Sequence, residues 1–193
     1  MIELLKEINV YILIGGQSRR MKTTKSLVQL NGKSLTENVY ENLNKVFKDV
    51  YIVGKENHFP QYNFVRDLEP VQCPLNGIVT SIEHSQNDWI FVIACDLPFI
   101  KSNTINYLFD QYKFDEQIVI PKIGDRLQPL CAFYNKSVLN HFKKAIALGN
   151  YSLILSFDKL LLNEVNVEKK YEDQFMNMNS PKDLEKASKL LNL

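Results

Sequence analysis

The chain has 193 residues, 45% of them hydrophobic and 23% charged, with a formal net charge of +1. This make-up reads as an ordinary soluble globular protein, excludes a global electrostatic field for nucleic acid or membrane, and leaves enough chain for one domain with a full core. No apolar run approaches the roughly 20 residues that span a bilayer, and three scattered cysteines (Cys73, Cys95, Cys131) suit neither a disulfide framework nor a zinc site. The start, "MIELLKEINV", carries acidic residues and no small-residue cleavage site, so the expectation is a cytoplasmic protein without nucleic-acid or membrane partners.

In chain order, "VYILI" (10–14) reads as the first buried strand, and "LIGGQSRRMKTTK" follows it as a glycine-led basic loop. "SLTENVYENLNKVF" places Ser34 and Glu37 at capping-box spacing and Val39, Leu43, Val46 and Phe47 on one helical face. "VYIV" (50–53), "NFVR" (63–66) and "WIFVIA" (89–94) continue the strands, followed by "QIVIP" (117–121), "CAFY" (131–134) and "NEVNV" (163–167). "KSVLNHFKKAIALG" is a helix that stops at Gly149, and the last helix begins with Ser180 as N-cap and Pro181 in its first position. Near-continuous apolar strands alternating with helices predict a mostly parallel, Rossmann-like sheet within a three-layer αβα sandwich. With no repeat or linker in view, residues 1–193 read as a single domain.

Ligands of such sheets bind beyond the carboxyl ends of the strands. The first loop lies there: Gly15 and Gly16 let backbone N–H groups approach an anion, and Arg19, Arg20, Lys22 and Lys25 would neutralise it. A polyphosphate is the natural guest, although by itself the loop reads equally well as a glycine turn before a solvated basic surface. Neither familiar phosphate loop is present. Gly32-Lys33-Ser34 lacks the Walker glycine, position 27 being Leu, and no glycine between Gly16 and Gly32 completes a dinucleotide fingerprint. "ACDLPFI" puts Asp96 directly after an apolar strand on the same edge, where a carboxylate can hold Mg²⁺.

Taken in order, "LIGGQSRRM", "LVQLNGKSL" (27–35), "PLNG" (74–77), "ACDLPFI" (94–100), "QPLCAFY" (128–134) and "NMNSPKDL" (177–184) resemble the molybdenum cofactor guanylyltransferase family of nucleotidyltransferases. The resemblance covers nearly the whole chain. It implies a sheet of the nucleotide-diphospho-sugar transferase type, a nucleotide-binding half over about 1–100 and a second-substrate half over about 101–193. The implied reaction transfers GMP from GTP to the phosphate of molybdopterin or Mo-molybdopterin, with Mg²⁺ as cofactor and release of pyrophosphate. Transient contacts with proteins that deliver molybdopterin or receive the finished cofactor belong to the same expectation.

By that resemblance Leu13, Ile14 and Gly15 touch the nucleotide through backbone, and Gly16 shapes the turn. Lys25 and Arg20 meet the phosphates, Asp67 contacts the nucleotide, Asp96 binds Mg²⁺ beside it, and Asn179 serves the catalytic side. Asn177 is assigned only turn and cap duties. A phosphate dianion is already a nucleophile, so His58, His84 and His141 receive no role. Lys22 and Thr24 depart from the glycine and acidic residue of the family pattern, Asn76 stands where the pattern has alanine, and the second strand ends at Gly54 rather than at an asparagine. Two alternatives stay open: a molybdopterin cytidylyltransferase or sugar-phosphate nucleotidyltransferase, and a nucleotide-binding regulatory protein without catalysis.

Overall fold

The computed structural model describes residues 7–15, 24–112 and 115–191. Ten strands are described: β1 (Asn9–Leu13), β2 (Gln29–Leu30), β3 (Lys33–Ser34), β4 (Val50–Gly54), β5 (Phe64–Arg66), β6 (Trp89–Ala94), β7 (Ile118–Ile123), β8 (Arg126–Leu127), β9 (Cys131–Asn135) and β10 (Leu162–Asn166). The helices are α1 (Leu35–Leu43), α2 (Pro74–His84), α3 (Ser102–Asp110), α4 (Leu139–Ala147), the single turn α5 (Lys169–Glu172) and α6 (Pro181–Leu191). Eight strands form one sheet in the order β10-β7-β9-β6-β1-β4-β5, with β8 paired to β7.

The apolar strands follow from burial on both faces. In β1, Val10, Ile12 and the following Ile14 pack with Val39 and Leu43 of α1 and with Ile105 and Leu108 of α3. Tyr11 and Leu13 point the other way, into a second core with Leu75, Ile78 and Ile82 of α2 and Phe142 of α4. Successive strand side chains alternate between faces, so a strand covered on both sides has no polar register. Each side chain so buried contributes roughly 1.5–3 kcal/mol. Two helices on each face make the three layers.

Local signals set the helix ends. Ser34 Oγ accepts from the Glu37 N–H at 3.1 Å, and Glu37 Oε2 accepts from the Ser34 N–H at 2.8 Å, completing the capping box. The Ser34 hydroxyl, which donates to Oε2 at 2.7 Å, and then the Ser34 N–H hold the Glu37 carboxyl below its ordinary range. Gly149 ends the turn after α4 with φ 74°, a left-handed value that glycine adopts without a Cβ clash. Ser180 Oγ accepts from the Asp183 N–H at 3.3 Å at the start of α6.

Two features differ from the sequence reading. β9 runs antiparallel to both β6 and β7. Residues 124–130 are too few for a crossover helix, which a parallel return requires, and they instead hold the hairpin partner β8. The pattern also named no helix over α2 or α3, although "PLNG" opens α2 with Pro74 in the first turn.

The order of strands positions the site. From β1 the chain moves outward to β4 and β5, then returns to β6 on the opposite side of β1, and all four run parallel. That reversal leaves a crevice at the carboxyl ends of β1 and β6. Two glycines let the walls close up around it. A Cβ on Gly77 of α2 would stand 3.0 Å from the Leu13 side chain, and one on Gly54 only 2.6 Å from Ile14.

Candidate active site

The crevice is a cleft of about 380 Å³, walled by Leu13, Ile14, Gly15, Val53 and Ala94 at strand ends. Asp67, Cys73, Pro74 and Gly77 form another wall, and Lys55, Glu56 and His58, which follow β4, a third. The sequence-predicted Leu13, Ile14, Gly15 and Asp67 therefore meet at one place. A Cβ on Gly15 would have nothing within 4 Å, so this glycine keeps open space at the lip of the cleft. Gly16 and Arg20, with Arg19 and Lys22, lie outside the described residues.

Asp67 extends the β4–β5 ladder through its N–H, which donates to the Gly54 carbonyl at 2.9 Å. Its Oδ1 is buried and has no hydrogen-bond partner, and burial pushes the carboxyl above its usual range against a smaller opposing effect of Lys55. An unpaired buried acceptor is unfavourable unless a ligand supplies the donor. On the wall of a cleft, this oxygen suits an N–H or O–H group.

At the cleft margin, beside Thr24 and Ala94, the second group assembles. Asp96 is only 8% exposed and leaves β6 in a turn whose Pro98 carbonyl is held by Asn42 Nδ2 at 3.1 Å. Lys25 Nζ forms an ion pair with Asp96 Oδ2 and donates to Asn179 Oδ1 at 2.5 Å. Lys25 starts a 3₁₀ turn, Lys25–Leu27. Buried Ser26 anchors that turn, its carbonyl accepting from Thr36 Oγ1 at 3.0 Å. Next comes the β2–β3 hairpin, turned by Asn31 (φ 52°) and Gly32 (φ 79°), the Asn-Gly signature of a two-residue turn. "NGKS" is thus a hairpin and not a phosphate loop.

The segment before α6 closes the group. The Met178 N–H donates to the Asp96 carbonyl at 2.9 Å, and its side chain is buried with Leu30, Leu35 and Ala187. Side chains alternate along an extended run, so a Met178 facing inward turns both Asn177 and Asn179 toward the carboxylate. With its carboxamide nitrogen directed at Asp96, Asn177 lies 3.2 Å from Oδ2 and 3.3 Å from Oδ1. Sequence reasoning gave Asn177 no such role. The i, i+2 spacing of the two asparagines around a buried Met was the available signal.

Of the histidines, His84 meets the hydroxyl of buried Tyr11 at 2.9 Å and His141 packs edge-on to Phe142. His58 alone among them lines the cleft, 3.6 Å from Glu56. Cys73, Cys95 and Cys131 are free thiols. Burial pushes Cys95 up to about 12, which removes it as a nucleophile. Among the described residues no helix is long and apolar enough to cross a membrane.

Known proteins resemble this chain in sequence and in fold. A probable molybdenum cofactor guanylyltransferase of Aquifex aeolicus is 31% identical over 186 residues, 94% of this chain and 91% of that protein. The molybdenum cofactor guanylyltransferase of Campylobacter jejuni is 30% identical over 94% of this chain and 96% of its own length. The crystal structure of molybdopterin-guanine dinucleotide biosynthesis protein A from Archaeoglobus fulgidus superposes with a TM-score of 0.84 at 27% identity, covering 96% of this chain and 99% of that one. A 4-diphosphocytidyl-2C-methyl-D-erythritol synthase from Anaerococcus prevotii, at TM-score 0.72 and 11% identity, shares the fold alone. The family model that matches residues 10–160 is the MobA-like NTP transferase domain, and the chain belongs to that family.

Proposed function

We propose that this enzyme transfers the GMP moiety of GTP to the terminal phosphate of molybdopterin, releasing pyrophosphate and leaving the guanine dinucleotide form of the cofactor. The observation that carries the reading is the convergence of Lys25, Asp96, Asn177 and Asn179 at the margin of a cleft with an unpaired Asp67 oxygen. Relatives at 30–31% identity over nine-tenths of the chain carry the guanylyltransferase name, which favours GTP over CTP.

In this reaction a molybdopterin phosphate oxygen bonds to the α-phosphorus as the bond to the β-phosphate bridging oxygen breaks. The nucleophile is already anionic, so the protein's contribution is positioning and charge neutralisation. The Lys25 ammonium, held between Asp96 and Asn179, is placed to transfer to incoming phosphates. Asp67 accepts a donor from the nucleoside, and the backbone of Leu13, Ile14 and Gly15 forms the floor beneath it.

A Mg²⁺ ion fits the donor set. The Asp96 carboxylate and the Asn179 carboxamide oxygen are hard oxygen donors, and Mg²⁺ commonly takes one or two carboxylates together with substrate phosphates. Substrate phosphates would have to complete the coordination of such an ion. Asp96 would hold it, and the ion would neutralise phosphate oxygens.

The test is to incubate the protein with each NTP, Mg²⁺ and molybdopterin and to measure pyrophosphate. GTP should give the fastest release. Faster release with CTP would establish the cytidylyl alternative, and GTP binding without pyrophosphate would establish a regulatory protein.

A further inference from the structure

Asn76 lies in the first turn of α2, is 0% exposed, and directs its whole carboxamide away from the helix. Its Nδ2 donates to the Glu69 carbonyl at 2.8 Å and to the Val71 carbonyl at 3.1 Å, while its Oδ1 accepts from the Glu69 N–H at 3.3 Å. One turn on, Oγ1 of buried Thr80 accepts from the Leu68 N–H at 3.1 Å. Residues four apart share a helix face, so the two side chains form one clamp on the 68–73 loop. Alanine would suit a helix better than asparagine, and a buried carboxamide is unfavourable unless its bonds are made. The reason for Asn76 therefore lies in the loop.

That loop leads directly from Asp67, whose N–H is tied to Gly54, and ends at Gln72 and Cys73, which line the cleft. It thus joins two parts of the cleft wall and has little packing of its own, with Leu68 exposed. Besides the clamp the segment has a hydrogen bond from exposed Lys55 Nζ to the Pro70 carbonyl, so without the clamp a ligand would have to order the Glu69 and Val71 backbone as it bound. Fixing a loop beforehand removes that ordering penalty from binding.

We propose that Asn76 is a positioning residue for the nucleotide: it holds the 68–73 loop so that the Asp67 carboxylate and the Gln72–Cys73 wall are preformed. This rests on the reading of the cleft as a nucleotide site. The clamp acts equally on bound substrate and transition state, so it governs KM and not kcat.

The test is calorimetric titration of Mg²⁺-NTP into the unaltered chain, Asn76→Ala, Thr80→Val, Asp67→Ala and the Asn76→Ala/Asp67→Ala double variant, with steady-state kinetics alongside. Asn76→Ala should weaken binding about tenfold and raise KM in step, with kcat held within about twofold. Thr80→Val should shift binding the same way by less. The double variant should bind little worse than Asp67→Ala alone, because residues that act through one another are non-additive. An unchanged affinity for Asn76→Ala, an equal fall in kcat, or additive losses would each overturn the proposal. Should Asn76→Ala fail to fold, the cycle of Thr80→Val with Asp67→Ala decides by the same criteria. Titrations with GTP, CTP and ATP separate the two readings. Tighter binding of CTP overturns the guanylyl assignment and leaves the cycle intact, whereas binding of none of the three overturns both.

Discussion

Lys25 and Asp96 form an ion pair across 71 positions of sequence, with side chains only 19% and 11% exposed. One comes from a 3₁₀ turn after the basic loop and the other from the end of a central strand. The carboxylate thus has a counter-charge before any ligand arrives. The same ammonium, bonded also to Asn179, is already at the margin of the cleft.

Lys25→Ala should weaken GTP binding and slow transfer together, since its charge acts on phosphates in both ground and transition states. It also leaves the mostly enclosed Asp96 without its cation, which should lower stability by about 1–3 kcal/mol. Calorimetric titration of GTP and a thermal melt check both. Unchanged affinity and rate would remove Lys25 from the site.

Asp96→Asn should keep the fold, because the Met178 N–H bonds to the main-chain carbonyl of this residue and not to its side chain. Transfer should fall by roughly 100-fold or more, the scale seen when one electrostatic group of a preorganised site is removed. The measurement is pyrophosphate release against Mg²⁺ concentration. Near-normal turnover would dissociate Asp96 from the metal.

Asn177→Ala removes the amide that faces both Asp96 oxygens, and Asn177→Asp replaces it with a like charge. Transfer should drop about tenfold in the first, which corresponds to ~1.4 kcal/mol, and further in the second. Asn179→Ala should slow transfer with GTP affinity retained. Loss of GTP affinity and melting temperature in equal measure would make either asparagine a structural element of the α6 N-terminus.

Asp67 gives a pH signature. Its folded carboxyl titrates above the ordinary value of 3.8, chiefly through burial, so the folded state holds more protons than the unfolded one between those two values. Stability then falls as pH rises through that window, and the deficit persists at neutral pH. Asp67→Asn should therefore raise the melting temperature at pH 7, have no such effect well below pH 3.8, and weaken nucleotide binding. Melts at both pH values and a GTP titration test this. A lower melting temperature at pH 7 would refute it.

Much of the fold was legible in short windows. The span of β6, the Ser34–Glu37 box, the Gly149 stop and the Ser180–Pro181 start each depend on residues within a turn or two of one another. The direction of β9 was not legible, because Cys131, Ala132, Phe133 and Tyr134, all buried, read alike in either direction. Only the short 124–130 connection carried that information.

The sequence by itself determined the seven longer strands of the sheet and the ends set by Ser34, Gly149 and Ser180, because turn chemistry and apolar period act locally, and its ordered family motifs named Lys25, Asp67, Asp96 and Asn179 as candidates. The tertiary structure alone decided that Asn177 faces Asp96, that His58 reaches the cleft and that Asn76 clamps the loop behind Asp67. Those outcomes depend on which strands lie adjacent and on a Met178 anchored in a distant small core. A side chain's orientation follows from what its neighbours on the chain bury, and that partner is set by the path of the whole chain.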